Sequence, residues 1–296
     1  MPNGYTPQAP SSEGTLVTTD ELLKDPKRLA RVVAPSEEIF LSTYLFTRDT
    51  TESGAVVFQR ARKNGAYPDK GDVQEIAPMA DFPLIDVAEG EQDTAVTKKH
   101  GFGFRVSKES ERRKKDSEVN RNIRVGRNAL VRQDANRTYQ AFLDAAVPEQ
   151  NAVAAWNATG ADPRRDIRTA QAAIKNEKLG YNPVTVLINP DAALELELSE
   201  YFTAAMPRED ASRNPFLSPG LNGFMNVEWV ENEFVPQDEI LVLEKFVTGV
   251  NVIEWETEAD EPIRESGQKT LYQVSRSSVP IITDPLSVRR IRGVLA

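Results

Sequence analysis

SKESERRKKDSEVNRNIRVGRNALVRQDANRTYQAFLDAA, residues 107–146, runs for forty positions without a proline. Val119, Ile123, Leu130, Val131, Tyr139, Phe142, Leu143 and Val147 recur along it at roughly helical spacing; Ser107 is placed to cap the start and Pro148 closes the end. At ~1.5 Å of rise per residue an unbroken helix of this length spans ~60 Å. A compact globule of 296 residues has a radius of gyration of ~19 Å and a diameter near ~50 Å. Such a helix outruns the globule, so a flat or elongated molecule is expected. Gly126 is the weak point, because glycine costs ~1 kcal/mol relative to alanine in a helix interior and marks a candidate bend.

Upstream of this helix the pattern turns extended. GAVVFQRAR (Gly54 to Arg62) is followed by the turn-rich NGAYPDKGD, and TAVTKKHGFGFRVS (Thr94 to Ser107) alternates Val96, Phe102, Phe104 and Val106 at strand spacing. DFPLIDVAEGEQD lies between them. The two arms read as a long two-stranded excursion with little apolar mass, and an isolated hairpin of that kind is marginally stable in water, so it needs a partner surface. Further upstream, a short helix is expected over Thr19 to Val33, capped by Thr19 or Asp20, carrying Leu22, Leu23, Leu29, Val32 and Val33, and ended by Pro35. The first fifteen residues hold three prolines and two glycines among small polar residues, a composition that forms no core of its own. They read as an arm.

Downstream, Ala152 to Asp238 reads as mixed α/β. DIRTAQAAIKNEKLG (Asp166 to Gly180) is an amphipathic helix with Gly180 as its expected stop, PVTVLINP (Pro183 to Pro190) a buried strand, and DAALELELSEYF the start of another helix. The rest, from EILVLEKFVTGVNVIEWETE to QKTLYQVSRSSVPIITDPLSVRRIRG, alternates Val, Ile, Leu and Tyr with polar residues and predicts a terminal sheet. No repeat of ~20 to 50 residues supports a solenoid or propeller.

Composition bounds the function. Hydrophobic residues at 40%, charged residues at 27% and a mean hydropathy of -0.46 are those of an ordinary soluble chain, with no run of ~18 apolar residues that would cross a bilayer. MPNGYTPQAPSSEGT has no basic start, apolar middle or small-residue cleavage site, so no export signal is expected. The absence of cysteine excludes disulfides, thiolate metal sites and thiol nucleophiles. A net charge of -9 argues against a general nucleic-acid binder, since phosphate binding rests on Lys and Arg; an acidic body can still line a DNA-filled space without sticking to it.

Catalytic chemistry is sparse. One histidine in the chain excludes HExxH zinc sites and other sites needing two imidazoles. His100, in KKHGFGF, reads as a surface or turn histidine near the hairpin base rather than as a general base. GFGF (Gly101 to Phe104) is not GxGxxG, and neither GxxxxGK[ST] nor GxSxG occurs. Glu254, Glu256, Glu258, Asp260 and Glu261 lack the spacing and glycine of a calcium loop and read as a solvated strand edge. Arg112, Arg113, Lys114 and Lys115 are surrounded by Glu109, Glu111, Asp116 and Glu118 and read as a solvated helix face. No catalytic residue, metal site or cofactor is expected. The charges are nevertheless complementary: residues 105–128 hold nine basic and four acidic side chains, and 236–265 hold two basic and nine acidic. Opposed patches of this kind suit registration between neighbouring copies.

The order of these elements, an apolar-poor arm, a long hairpin, a very long helix, an α/β lobe and a returning sheet, resembles the major capsid protein of tailed bacteriophages, the Hong Kong 97 type. DFPLIDVAEGEQDTAVTKKHGFGFRVSKES looks like the return of that family's extended loop into its spine helix, TVLINPDAALELE like the strand and helix of its axial domain, and SVPIITDPLSVRRIRGV like its last peripheral-domain strands. The resemblance covers nearly the whole chain and implies an α+β, HK97-like fold. The corresponding divisions are an N-terminal arm over 1–53, an extended loop over 54–98, spine helix and first peripheral part over 99–151, an axial domain over 152–240 and peripheral return strands over 241–296.

The resemblance further implies a self-assembling, non-enzymatic subunit whose hexamers and pentamers form an icosahedral shell around viral double-stranded DNA, without sequence-specific binding and with no membrane partner. The arm and loop would lie across adjacent subunits, burying Leu41, Tyr44, Leu45 and Phe46 and Phe82, Leu84 and Ile85 against neighbours; Arg112 to Lys115 and Glu254, Glu256 and Glu258 supply the opposed charges. Only about fifty residues precede the loop, too few for a scaffolding segment of the kind some members carry, so a separate scaffolding protein is expected, with a portal and a decoration protein as further partners. Some members cross-link a loop lysine to a peripheral-domain asparagine, and residues 252–296 contain no asparagine. The virion, assembled in the host cytoplasm, is the implied location. An encapsulin-type nanocompartment shell shares the implied fold, and an α/β enzyme using carboxylates and a hard cation is the remaining alternative.

Overall fold

Two β-sheets share one long helix, and that sharing sets the architecture. The computed structural model describes residues 26–33, 40–63, 67–68, 73, 75–76, 79, 81–85, 90, 92–113, 116–158, 160–199, 221 and 224–295. Chain order is α1 (Pro26–Val33), α2 (Leu41–Leu45), β1 (Thr47–Thr50), β2 (Ala55–Gln59), β3 (Gln92–Val96), β4 (Lys98–Ser107), α3 (Lys108–Arg112) and α4 (Asp116–Asp144). Then follow β5 (Glu149–Asn151), α5 (Pro163–Asn176), β6 (Thr185–Ile188), α6 (Pro190–Leu198), β7 (Glu228–Glu231), β8 (Glu239–Leu243), β9 (Gly249–Ala259), β10 (Ile263–Glu265), β11 (Lys269–Ile282) and β12 (Val288–Arg292). The first fifteen residues, the expected caps Thr19 and Asp20, and Pro35 lie outside the described residues.

In the first sheet β11 is the hub. It pairs antiparallel with β9, β10 and β4, and β1 adds to β9 in parallel. Phe102, Phe104 and Val106 alternate along β4 and turn to one side with Tyr272 and Val274 of β11, where they meet Leu29 and Val33 of α1 and Val119, Ile123 and Leu130 of α4. In the second sheet the order is β5-β12-β8-β6-β7. Every residue of β6 and β8 is buried. Successive side chains point to opposite faces, and with both faces covered the two strands read as short, mainly apolar runs. Val186, Ile188, Ile240 and Val242 join the cluster under α5 and α6, whereas Leu187, Leu241 and Leu243 join the cluster formed with Ala135, Phe142 and Ala145 at the far end of α4. Strands from both 152–240 and 241–296 therefore share this sheet.

The single helix expected over 107–146 is corrected to two. α3 starts at the expected cap, with Ser107 Oγ accepting from Ser110 N at 3.1 Å, and the helical run breaks at Arg113 before α4 continues for 29 residues, or ~44 Å. Between Val106 and Val119 the sequence has no apolar residue, so this stretch has nothing to bury, and helices in proteins are held mainly by an apolar face. α4 runs through Gly126 without a break. A Cβ there would lie 2.1 Å from the Phe102 ring, so the glycine lets β4 and α4 approach. α5 stops at Asn176 rather than at Gly180, with Lys178 at φ 58° in the intervening turn.

β2 and β3 form a two-stranded sheet of their own, with Ala55 opposite Val96 and Gln59 opposite Gln92. No residue of either strand belongs to the three apolar clusters.

Candidate inter-subunit surfaces

The segment α2 is not a free gripping element. Leu41, Leu45 and Phe46 are buried in the core shared by α4 and the second sheet, and the Phe46 and Phe142 rings sit 5.7 Å apart. The expectation that they bury against a neighbour is thus corrected: the chain's own Phe142, Leu241 and Val288 already take up that apolar surface. Polar groups fix the position. Ser42 N and Oγ donate to the Asp134 carboxylate at 3.0 and 2.6 Å, and Asn251 Nδ2 donates to Ser42 Oγ at 3.1 Å. Tyr44 is half-buried; its hydroxyl donates to Glu228, and Lys245 Nζ stands 3.6 Å from its ring centroid.

The excursion beyond β2 is the opposite case. Phe82 is 81% exposed, Leu84 89% and Ile85 54%. Large apolar side chains gathered on one exposed segment mark an interaction surface. Arg60 joins the two arms through Asp93 at 2.6 Å, and Ala61 N, which donates to Thr283 O at 2.8 Å, ties the hairpin to the rest of the subunit. The tip is presented from a fixed root.

Of the expected charge patches, Arg112 and Arg113 are exposed, and Arg113 lies 3.7 Å from Glu109. Lys114 and Lys115 lie outside the described residues. On β9, Glu254 accepts from Thr97 Oγ1 at 2.6 Å and Ser277 Oγ at 2.8 Å, Glu256 pairs with Arg48, and Glu258 is exposed. Two of these three acids are engaged within the subunit.

Interior polar groups escaped the sequence. His100 is half-buried on β4 rather than at the surface or in a turn. It lines a cavity of about 20 Å³ with Phe40, Leu130, Asp134, Arg137 and Arg276, room for one water. Burial and the nearby Arg137 and Lys98 lower its pKa, against the pull of Asp134. Burial pushes the Glu239 carboxyl up, but hydrogen bonds from Arg290 and Tyr139 outweigh this and hold it below the usual range. Burial raises the pKa of Asp166, which accepts from Trp156 Nε1 and Val153 N, each at 3.1 Å. The Tyr139 and Glu239 pairing joins residues 100 positions apart, and such a separation leaves no local pattern.

Residues 90–291 match the family model described as phage capsid protein. No curated protein is matched by the sequence. Among solved structures, a phage-related protein from Bordetella bronchiseptica superposes with a TM-score of 0.62 at 16% identity, covering 91% of this chain and 97% of its own. A virus-like particle from Pyrococcus furiosus gives 0.62 at 10% identity, covering 90% and 100%. The capsid of Cyanophage P-SCSP1u gives 0.61 at 11%, covering 87% and 89%.

Proposed function

Because this chain belongs to the phage capsid protein family, we propose that its exposed hairpin and opposed charge patches join copies of it into the hexamers and pentamers of a closed shell. The protein is a major capsid protein with an HK97-like α+β fold, and its place is the virion capsid. Double-stranded DNA is the proposed content, held without sequence-specific contacts, and a separate scaffolding protein, a portal and a decoration protein are the proposed partners of assembly in the host cytoplasm. The axial division over 152–240 and the peripheral one on either side of it are proposed by the same reading.

The observation that carries the assembly role is the rooted hairpin whose segment holds Phe82, Leu84 and Ile85 out in solvent. In a lone subunit that apolar surface has no cover; a neighbouring copy supplies one. Electron microscopy of the purified chain is the test. Shells or capsomers are expected, and a small soluble oligomer under all assembly conditions would refute the reading. The likeness to the Pyrococcus furiosus virus-like particle favours one second reading, a nanocompartment shell. Particle contents separate the two: genome in one, cargo protein in the other.

A further inference from the structure

The long helix is cationic on the side that none of the described residues covers. Arg121, Arg124, Asn128 and Arg132 are exposed, while Val119, Ile123 and Leu130 pack against the first sheet. With 3.6 residues per turn, the four exposed positions fall within about 80° of one another around the axis, and Arg121 and Arg132 stand ~16 Å apart along it. Among the described residues no ion pair neutralises Arg121, Arg124 or Arg132. Glu118, exposed one turn earlier, accepts from Ser110 Oγ at 3.1 Å.

The opposite side of the same sheet carries both signs, with Lys99, Arg105 and Lys269 exposed there beside its carboxylates. Glu258 pairs across from Ser275, which in turn stands opposite Gly101; these lie on the face away from Phe102 and Phe104, the face turned from α4. Glu254 reaches the buried Ser277, next to Thr97 beside the hairpin. In a chain of net charge -9, the exposed side of α4 thus differs from the far face of the sheet in holding arginines with no carboxylate paired to them among the described residues. A cationic row on an acidic molecule is complementary to a polyanion lying along it.

We propose that Arg121, Arg124 and Arg132 form a phosphate-contacting row that lies against packaged double-stranded DNA, so that the exposed side of α4 faces the interior of the shell. The proposal rests on the shell reading given above. A row of ~16 Å spans about five base pairs of duplex, and guanidinium groups contact phosphate oxygens without reading bases. Content is then held against the wall by charge alone.

The test uses the unassembled full-length chain and a fluorescent duplex of about 25 base pairs, titrated between about 50 and 200 mM salt. Wild type is compared with Arg121→Gln/Arg124→Gln/Arg132→Gln and with the same three positions changed to Lys. Each phosphate contact contributes about 0.9 to the slope of log affinity against log salt, so the Gln variant should lose about 2 to 3 from that slope. The Lys variant should keep it, because ammonium groups also neutralise phosphate. An unchanged slope in the Gln variant, or no duplex binding by wild type, would overturn the proposal. So would normal duplex binding with failed particle formation, which would make the row a contact between copies. Should the triple Gln variant not fold, Arg121→Gln and Arg124→Gln singly decide the matter, each expected to remove about 1 from the slope. Failure of the shell reading itself shows separately, as wild-type protein that forms no particles in the microscope.

Discussion

At Gly126 the usual effect of a substitution is reversed. Gly→Ala in a helix interior ordinarily stabilises by ~1 kcal/mol, but here the new methyl would meet the Phe102 ring at 2.1 Å, and overpacking of this kind costs ~1–3 kcal/mol. Gly126→Ala is therefore expected to lower the denaturation midpoint of the unassembled subunit, and Phe102→Ala in the same chain to recover part of the loss. A second residue-scale prediction concerns Asp134, which satisfies the buried Ser42 N and Oγ. Asp134→Ala leaves both without that partner and should cost ~1–3 kcal/mol in urea unfolding. The third is a pH dependence. His100, the only histidine, has a pKa below its ordinary 6.5 in the folded chain, from burial first and then Arg137 and Lys98. The unfolded chain takes up the proton first as pH falls through about 6.5, so stability present above that pH is lost on acidification. Unfolding midpoints at about pH 7.5 and 5.5 should fall further in wild type than in His100→Gln. The raised carboxyls of Asp166 and Asp284 work in the opposite direction at lower pH and are common to both proteins.

Elements were legible where their own residues decide them. Helix α5 follows from periodicity, because a side chain's burial there depends on its place in the turn, and strands β6 and β8 follow from their short, mainly apolar runs, buried on both faces. The break before α4 was legible in principle: a stretch from Ser107 to Glu118 with no apolar residue has no buried face to hold it. The placement of α2 was not. LSTYLF reads alike whether its apolar groups meet a neighbour or the chain's own Phe142 and Leu241, since nothing local encodes which partner is reached. The hairpin is the converse, with exposed apolar side chains and no core of its own. Changing Phe82, Leu84 and Ile85 together to Ser should leave the melting temperature of the unassembled subunit within about 2 °C, because these side chains are exposed, while sharply reducing particle yield. Intact particles from that variant would remove the hairpin from the assembly interface.

For the whole molecule, the absence of asparagine from residues 252–296 bears on how a shell of these subunits holds together. Particles boiled in denaturant should run as a monomer band on a gel, and a ladder of high-mass species would show covalent links after all. Cohesion then rests on noncovalent contacts, which dissociate and re-form. Within each subunit the long helix leaves no such freedom. Its first half is part of the core beneath one sheet and its second half part of the core beneath the other, so neither sheet can lose its packing while the other keeps the helix intact. Heated in a calorimeter, the unassembled chain should absorb heat in one peak, with the van't Hoff and calorimetric enthalpies equal. A chain built from two sheets then melts as one cooperative unit.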